Sequence, residues 1–280
     1  MSTDAQHPIS GTNPSMEDKM LINNDAPSYY VGIGASAGGL EALQEFFQLM
    51  PANSGAAFVV VQHLSPDFKS LVEELLSRGT EMDVFNATDG VFVKANTIYV
   101  IPPRKNLMIA EGKLLLVDQM PARGINFPID IFFRALAEDQ QHRAIGLVLS
   151  GTGSDGSRGI RAIKEVGGLV MVQDPETAKF DGMPYNAIKT GIVDVVLPAT
   201  EIPKKLMSCI SHPLLAGSGE TLVKYVETND AVLAEIFALL KEHREVDFSL
   251  YKVNTVARRI ERRIGINQLS NLQDYYSLLI

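Results

Sequence analysis

Five short apolar runs, Tyr30 to Ile33, Phe58 to Val61, Ile98 to Ile101, Ala144 to Leu149 and Leu169 to Val172, alternate with amphipathic segments from Tyr29 to about residue 210. They are rich in Val, Ile and Leu and lack the polar alternation of a strand with one wet face, so both faces must be covered. The segments between them, Leu40 to Met50, Ser70 to Ser77, Ile129 to Asp139, Arg158 to Glu165 and Pro184 to Thr190, read as helices. This order predicts an α/β fold, a doubly wound and mainly parallel sheet with helices on both faces. Leu107 to Val117, folded about Glu111-Gly112-Lys113, reads as a hairpin added to that sheet.

Beyond about Ser211 the alternation stops. Pro213, Gly217 and Gly219 break the pattern, and three helical stretches follow: Asn229 to His243, Tyr251 to Arg263 and Leu272 to Leu279. The expected organisation is a disordered leader at 1–26, an α/β domain at 27–210, a linker at 211–225 and a small all-α segment at 226–280. The final Leu278-Leu279-Ile280 carries no helix stop, which suggests a piece of a longer polypeptide.

Composition narrows the class. With 46% apolar and 21% charged residues the chain is that of a soluble globular protein, and a net charge of -8 gives no reason to expect nucleic acid. Arg258, Arg259, Arg262 and Arg263 crowd one helix of the tail, which suits an acidic partner, although such a cluster is more often a solvated face. Cys209 is the single cysteine, so no internal disulfide forms, and it is expected to be buried at the close of an apolar helix. No apolar run is long enough to span a bilayer, so no membrane insertion and a cytoplasmic location are expected. There is no HExxH, CxxC or other ligand spacing, and no metal is expected.

The stretch with the most chemical content is YYVGIGASAGGL, Tyr29 to Leu40. Two motifs overlap on it: Gly32-x-Gly34-x-x-Ala37 fits the dinucleotide fingerprint, and Gly34-x-Ser36-x-Gly38 fits a nucleophile elbow. A dinucleotide unit needs an acidic residue about 20 positions on, at the end of the next strand. That strand ends instead in Gln62-His63, which suits a base beside Ser36. A third polar residue, Asp155, lies in the glycine-rich turn after Ala144 to Leu149. Ser36, His63 and Asp155 thus all follow strand carboxyl ends, where a doubly wound sheet collects its functional groups. A hydroxyl becomes a nucleophile when a neutral imidazole takes its proton and a carboxylate fixes the imidazole tautomer. The order Ser, His, Asp differs from that of the α/β-hydrolases.

Duller readings stand beside each. Ser36 could cap the helix that follows, His63 could be a loop histidine, and Asp155 could serve as a helix cap or Asx-turn residue. Asp174 is the rival carboxylate, with Asp67 and Asp181 behind it. Oxyanion donors are sought in the backbone N–H of Ala37 and in the Gly151-Thr152-Gly153 turn.

The segments VGIGASAGGLEAL, VVVQHLSPDF, IYVIPP, INFPIDIFFRALAE and GLVLSGTGSDGSRGIRAIKEVGGLVMVQDPETAKFDGMP resemble the catalytic domain of CheB-type chemoreceptor methylesterases over roughly Tyr29 to Ile210. The resemblance implies a triad of Ser36, His63 and Asp155 that hydrolyses glutamate methyl esters on receptor signalling helices, with glutamine deamidation as a related activity and no cofactor. Thr152 stands where many members have Met, and Ala37 where many have Thr. The stretch from about Ile236 to Ile280 resembles the N-terminal helical domain of CheR-type receptor methyltransferases. That implies an esterase and methyltransferase fusion whose S-adenosylmethionine-binding fold is absent from this chain. Methylated chemoreceptor helices are the implied partner, with an intramolecular contact to the methyltransferase portion. Because no receiver domain precedes Tyr29, control by the linker and appended helices is one expectation and constitutive activity the other. A non-catalytic receptor-docking module is the alternative from a different class.

Overall fold

The computed structural model describes residues 26–62, 71–119, 126–212, 230–244 and 247–280. The leader and most of the expected linker lie outside these residues. Seven parallel strands form the main sheet: β1 (Tyr29–Ala35), β2 (Ala56–Gln62), β3 (Asp83–Asn86), β4 (Thr97–Val100), β7 (Ala144–Val148), β8 (Leu169–Gln173) and β9 (Val195–Leu197), in the order β3-β4-β2-β1-β7-β8-β9. β5 (Lys105–Ala110) and β6 (Lys113–Asp118) pair antiparallel as a hairpin.

Strand periodicity divides the core in two. Val31, Ile33, Phe58, Val60, Ile145 and Leu147 point to one face, where α1 (Gly39–Leu49), α2 (Leu71–Ser77) and α6 (Ile202–Ile210) cover them. Ala57, Val59, Val61, Val148 and Val172 point to the other, beneath α3 (Pro128–Gln140), α4 (Gly159–Glu165) and α5 (Gly182–Ile188). Two apolar faces per strand leave a residue-2 alternation no polar positions, hence the continuous runs seen in the sequence.

Glycines in β1 let α3 settle onto the sheet. A Cβ on Gly34 would lie 2.5 Å from Ile129 Cγ2, and one on Gly32 would lie 2.9 Å from Phe133. Both glycines lie within β1 and serve helix packing, whereas a dinucleotide fingerprint places its first glycines in the turn after the strand, so the motif does not fit that reading. Gly34→Val is expected to cost about 2–3 kcal/mol by overpacking, read as a lower urea midpoint. An unchanged midpoint would mean that α3 moves freely over β1.

The hairpin departs from expectation. It forms a separate two-stranded sheet, joined to Phe92 by one bridge, and is not an added strand pair. Its apolar side, Leu107, Ile109 and Leu114, packs in the α3 layer, while β3 holds the sheet edge. β3 escaped the sequence reading because only Val84 of its four residues is buried.

In the tail, α7 (Asp230–Arg244), α8 (Val253–Ile266) and α9 (Leu272–Leu279) share a small core of Leu233, Ile236, Ala257, Ile260, Ile264 and Leu272. α8 docks on the α/β domain, and Ile266 joins the core beneath α6. Arg262 Nη2 donates to His142 O at 3.0 Å, Gln268 Nε2 to Ser208 O at 3.1 Å, and His212 Nε2 lies 3.0 Å from Leu269 O. Lys205 Nζ also donates to Ile266 O. The expectation of a solvated arginine face fails at Arg262, which is buried, and holds for Arg259 and Arg263, while the Arg258 side chain lies outside what the structure describes. Helical spacing alone put all three on one helix, and only the docked domain distinguishes them. His142 lies in the short turn Gln141–Arg143 that leads into β7, so this contact lies at the amino end of the sheet.

Candidate active site

β1 is flanked by β2 on one side and β7 on the other, and the helices that follow β1 and β7 cover opposite faces. That reversal opens a crevice beyond the carboxyl ends of these strands. Ser36 is the first residue past β1 and is half-buried. Its N–H donates to Ser150 O at 3.0 Å, and its carbonyl accepts the Gly39 N–H at 2.9 Å, closing a tight turn. Gly38 makes the turn possible with φ 69° and ψ 2°, a left-handed conformation that favours glycine. Gly38, and not Ser36, is the cap residue of α1, and no side-chain bond caps that helix.

The turn after β7 lies against this serine. A Cβ on Gly151 would fall 2.9 Å from Ser36 Cβ and 2.2 Å from Met183 Sδ, so only bare backbone fits between them. Ser150, buried, ties three strand ends together. Its carbonyl takes the Ser36 N–H, its Oγ donates to Ala37 O at 3.0 Å and accepts from the Phe180 N–H at 3.0 Å, and its own N–H donates to Gln173 Oε1 at 2.8 Å. Gln62, the last residue of β2 and the register partner of Ala35, places Nε2 3.5 Å from Ser36 O. Its Oε1 is buried with no hydrogen-bond partner among the described residues.

Asp155, farther along the turn that follows β7, is buried. Oδ2 accepts the Ile129 N–H at 3.0 Å, and Oδ1 accepts the Asp130 and Gly156 N–H groups at 2.9 Å each. Ile129 and Asp130 lie in the first turn of α3, whose own cap residue, Phe127, has no side-chain acceptor to offer. Asp155 thus does serve as a helix cap, but for a helix distant in sequence, and the carboxylate is clamped in position as a consequence. Asp130 returns the arrangement, with Oδ1 accepting the Arg158 and Gly159 N–H groups at 3.0 and 2.7 Å at the start of α4. Burial raises the Asp130 carboxyl above its usual range; the Gly159 N–H opposes this, and the Asp155 charge adds to it.

The other expected residues sort readily. Ala37 is half-buried beside Ser36, while Thr152 and Gly153 form the exposed side of the Gly151 turn, against which α5 begins. Asp174 caps its own short turn through the Glu176 N–H at 3.0 Å. Asp181 is exposed. His63, the expected base, and Asp67 lie outside the described residues. Cys209 is buried, and burial pushes its thiol up. Among the described residues, no group of three His, Cys, Asp or Glu is placed to hold a metal ion, and no helix is long and apolar enough to cross a membrane.

Sequence reasoning missed Ser150, Gln173 and Asp130. A faint signal existed for two of them: Gln173 closes an otherwise apolar buried run, and Asp130 interrupts the apolar FPIDIFF stretch. Neither signal reveals which distant backbone groups they bind.

Comparison with known proteins decides the family. The family model described as CheB methylesterase matches residues 31–206, more than half of the chain. The chain belongs to the CheB methylesterase family. The model described as CheR methyltransferase, all-alpha domain, matches residues 231–280. A protein of Rhodobacter capsulatus described as an uncharacterized 104.1 kDa protein is 38% identical over 73% of this chain and 23% of its own length. A protein-glutamate methylesterase/protein-glutamine glutaminase of Hydrogenovibrio crunogenus is 32% identical over 68% of this chain and 53% of its own length. The chain therefore spans about half or less of these relatives. The crystal structure of the Thermotoga maritima CheB methylesterase catalytic domain is similar with a TM-score of 0.60 and 33% identity, covering 65% of this chain and 98% of that one. Within the CheB family fold, the carboxyl ends of β1 and β7 are the place where the Ser36 turn and the Gly151 turn meet.

Proposed function

We propose that this chain is a cytoplasmic serine esterase that hydrolyses glutamate methyl esters on the signalling helices of a chemoreceptor, with glutamine deamidation as a secondary activity. The observation that supports the reading is the contact between the Ser36 turn and the Gly151 turn, the turn that leads on to Asp155, beyond the carboxyl ends of β1 and β7. The names of the relatives support the substrate class. Residues 27–210 form the esterase unit in this reading and 226–280 the helical unit, joined by 211–225.

Ser36 Oγ attacks the ester carbonyl, and His63, which follows the Ala35 partner Gln62, takes the hydroxyl proton. Asp155 holds the imidazole in the required tautomer and stabilises its charged form. The N–H groups of Ala37 and of the turn at Thr152 and Gly153 receive the developing oxyanion, each contributing about 3 kcal/mol to the barrier reduction. Collapse breaks the carbon–methoxy bond, and the leaving oxygen takes the proton from His63 and departs as methanol. Water, deprotonated by His63, then cleaves the acyl-Ser36 ester and frees the glutamate. No step of this route draws on a cofactor.

The test is incubation with a methylated receptor cytoplasmic fragment, followed by methanol release and by fluorophosphonate labelling with peptide mass mapping. Methanol release and a label on Ser36 are expected. A receptor that keeps its methyl groups, together with an unlabelled Ser36, leaves the docking-module alternative in its place.

A further inference from the structure

A second concavity lies away from Ser36, at the amino end of the sheet, where α8 meets the α/β domain. It has a volume of about 280 Å³ and draws its walls from both units. Its lining includes four cationic side chains, Lys164 from α4 and Arg259, Arg262 and Arg263 from α8, and two rings, Phe248 and Tyr275, together with Leu240, Val256 and Ile260.

Among the described residues the wall carries four cationic side chains, Lys164, Arg259, Arg262 and Arg263, and one carboxylate, Asp194, whose Oδ1 accepts from Lys164 Nζ and whose Oδ2 accepts from the Val170 N–H at 3.0 Å. Arg262 is buried and makes its hydrogen bond to a neutral acceptor, the His142 carbonyl. Asp194 is its foremost charged neighbour, and Glu261 the weakest. Burial pulls the Lys164 ammonium below its usual range; Asp194 acts the other way, and the charges of Arg263 and Arg262 add to the lowering, so these cations repel across the cavity. Asp194 is thus shared by Lys164 and Arg262 while Arg259 and Arg263 add two further positive charges, so a bound anion would find an excess of positive charge here.

We propose that this cavity is a binding site for a small ring-bearing anion, of the size and charge of a nucleoside monophosphate, with its phosphate among Lys164, Arg259, Arg262 and Arg263 and its ring against Phe248 and Tyr275. A volume of 280 Å³ suits one ring system with one anionic group and is too small for a dinucleotide. Arginine presents a planar donor fork suited to phosphate, and ring stacking supplies the apolar half of the affinity. Because the walls come from both units, a ligand here holds the helical unit to the esterase unit without touching the crevice at Ser36.

The test is calorimetric titration of the 280-residue chain with adenosine 5′-monophosphate, adenosine and inorganic phosphate. Saturable binding of the monophosphate is expected with a Kd below about 1 mM, weakening as salt is raised. Adenosine and inorganic phosphate alone should bind at least about tenfold more weakly. The double variant Arg259→Ala, Arg263→Ala should weaken the monophosphate by about tenfold or more at an unchanged thermal midpoint, since both side chains are exposed. No saturable binding of the monophosphate, or equal affinity in the double variant, overturns the site. Inorganic phosphate binding as tightly as the monophosphate overturns the role given to the rings.

Discussion

Ser36→Ala is expected to lower ester hydrolysis by roughly four orders of magnitude or more while the thermal midpoint stays within about 2 °C of the parent. The two halves of this expectation have separate causes. Activity falls because the covalent route is gone and only oxyanion binding and substrate positioning persist. Stability is kept because α1 is capped at Gly38 without a side-chain bond, and the turn is closed by backbone bonds, Ser36 N–H to Ser150 O and Gly39 N–H to Ser36 O. Hydrolysis measured on a methylated receptor fragment, beside a melting curve, tests both halves. A variant that still releases methanol at a rate within tenfold of the parent would falsify the assignment of Ser36 as nucleophile.

Asp155→Ala should damage both fold and activity, and Asp155→Asn should separate them. The carboxylate accepts from Ile129, Asp130 and Gly156 N–H groups, all in buried surroundings. Truncation to Ala strips three donors of their acceptor, at about 1–3 kcal/mol for each left unsatisfied and not fully additive, so a loss of about 3–5 kcal/mol is expected. That is a large share of the roughly 5–15 kcal/mol of a typical domain. Asn keeps one carbonyl oxygen for the Asp130 and Gly156 donors but turns its amide toward the Ile129 N–H, so about 1–2 kcal/mol is lost. Its kcat should nonetheless drop by about 10³–10⁴, because a neutral amide fixes the wrong imidazole tautomer. Urea unfolding and steady-state hydrolysis on the two variants check this. Parent-like kcat in Asp155→Asn would confine this residue to holding α3.

The residues that were easiest to place from sequence are those whose signal is local. Ser36 sits among Gly34, Ala35, Ala37, Gly38 and Gly39, a run that breaks a strand into a turn, and the structure puts it immediately past β1. Cys209 follows the apolar periodicity of Ile202, Leu206 and Ile210 and is buried with them. The hairpin was visible too, in its alternation and its Glu111-Gly112 turn, but its place was not. Which edge a hairpin joins, or whether it joins one at all, depends on the helix layer it packs against, here α3. Arg262 is the clearest failure of local reading. It shares a helix and a charge with Arg259 and Arg263, and burial against His142 alone sets it apart.

By itself, the sequence determined the parallel sheet, its two helix layers, the helical tail and the two turns that carry polar groups at strand ends. Periodicity and turn chemistry are properties of neighbours in the chain, so they are readable in one dimension. Tertiary structure alone decided that the Gly151 turn lies against Ser36, that Asp155 caps α3 while Asp130 caps α4, and that α8 closes a cationic cavity over the amino end of the sheet. These are pairings of backbone donors and charged side chains across 25 to more than 100 residues. Their partners are fixed by which strands become neighbours, and no local pattern encodes that.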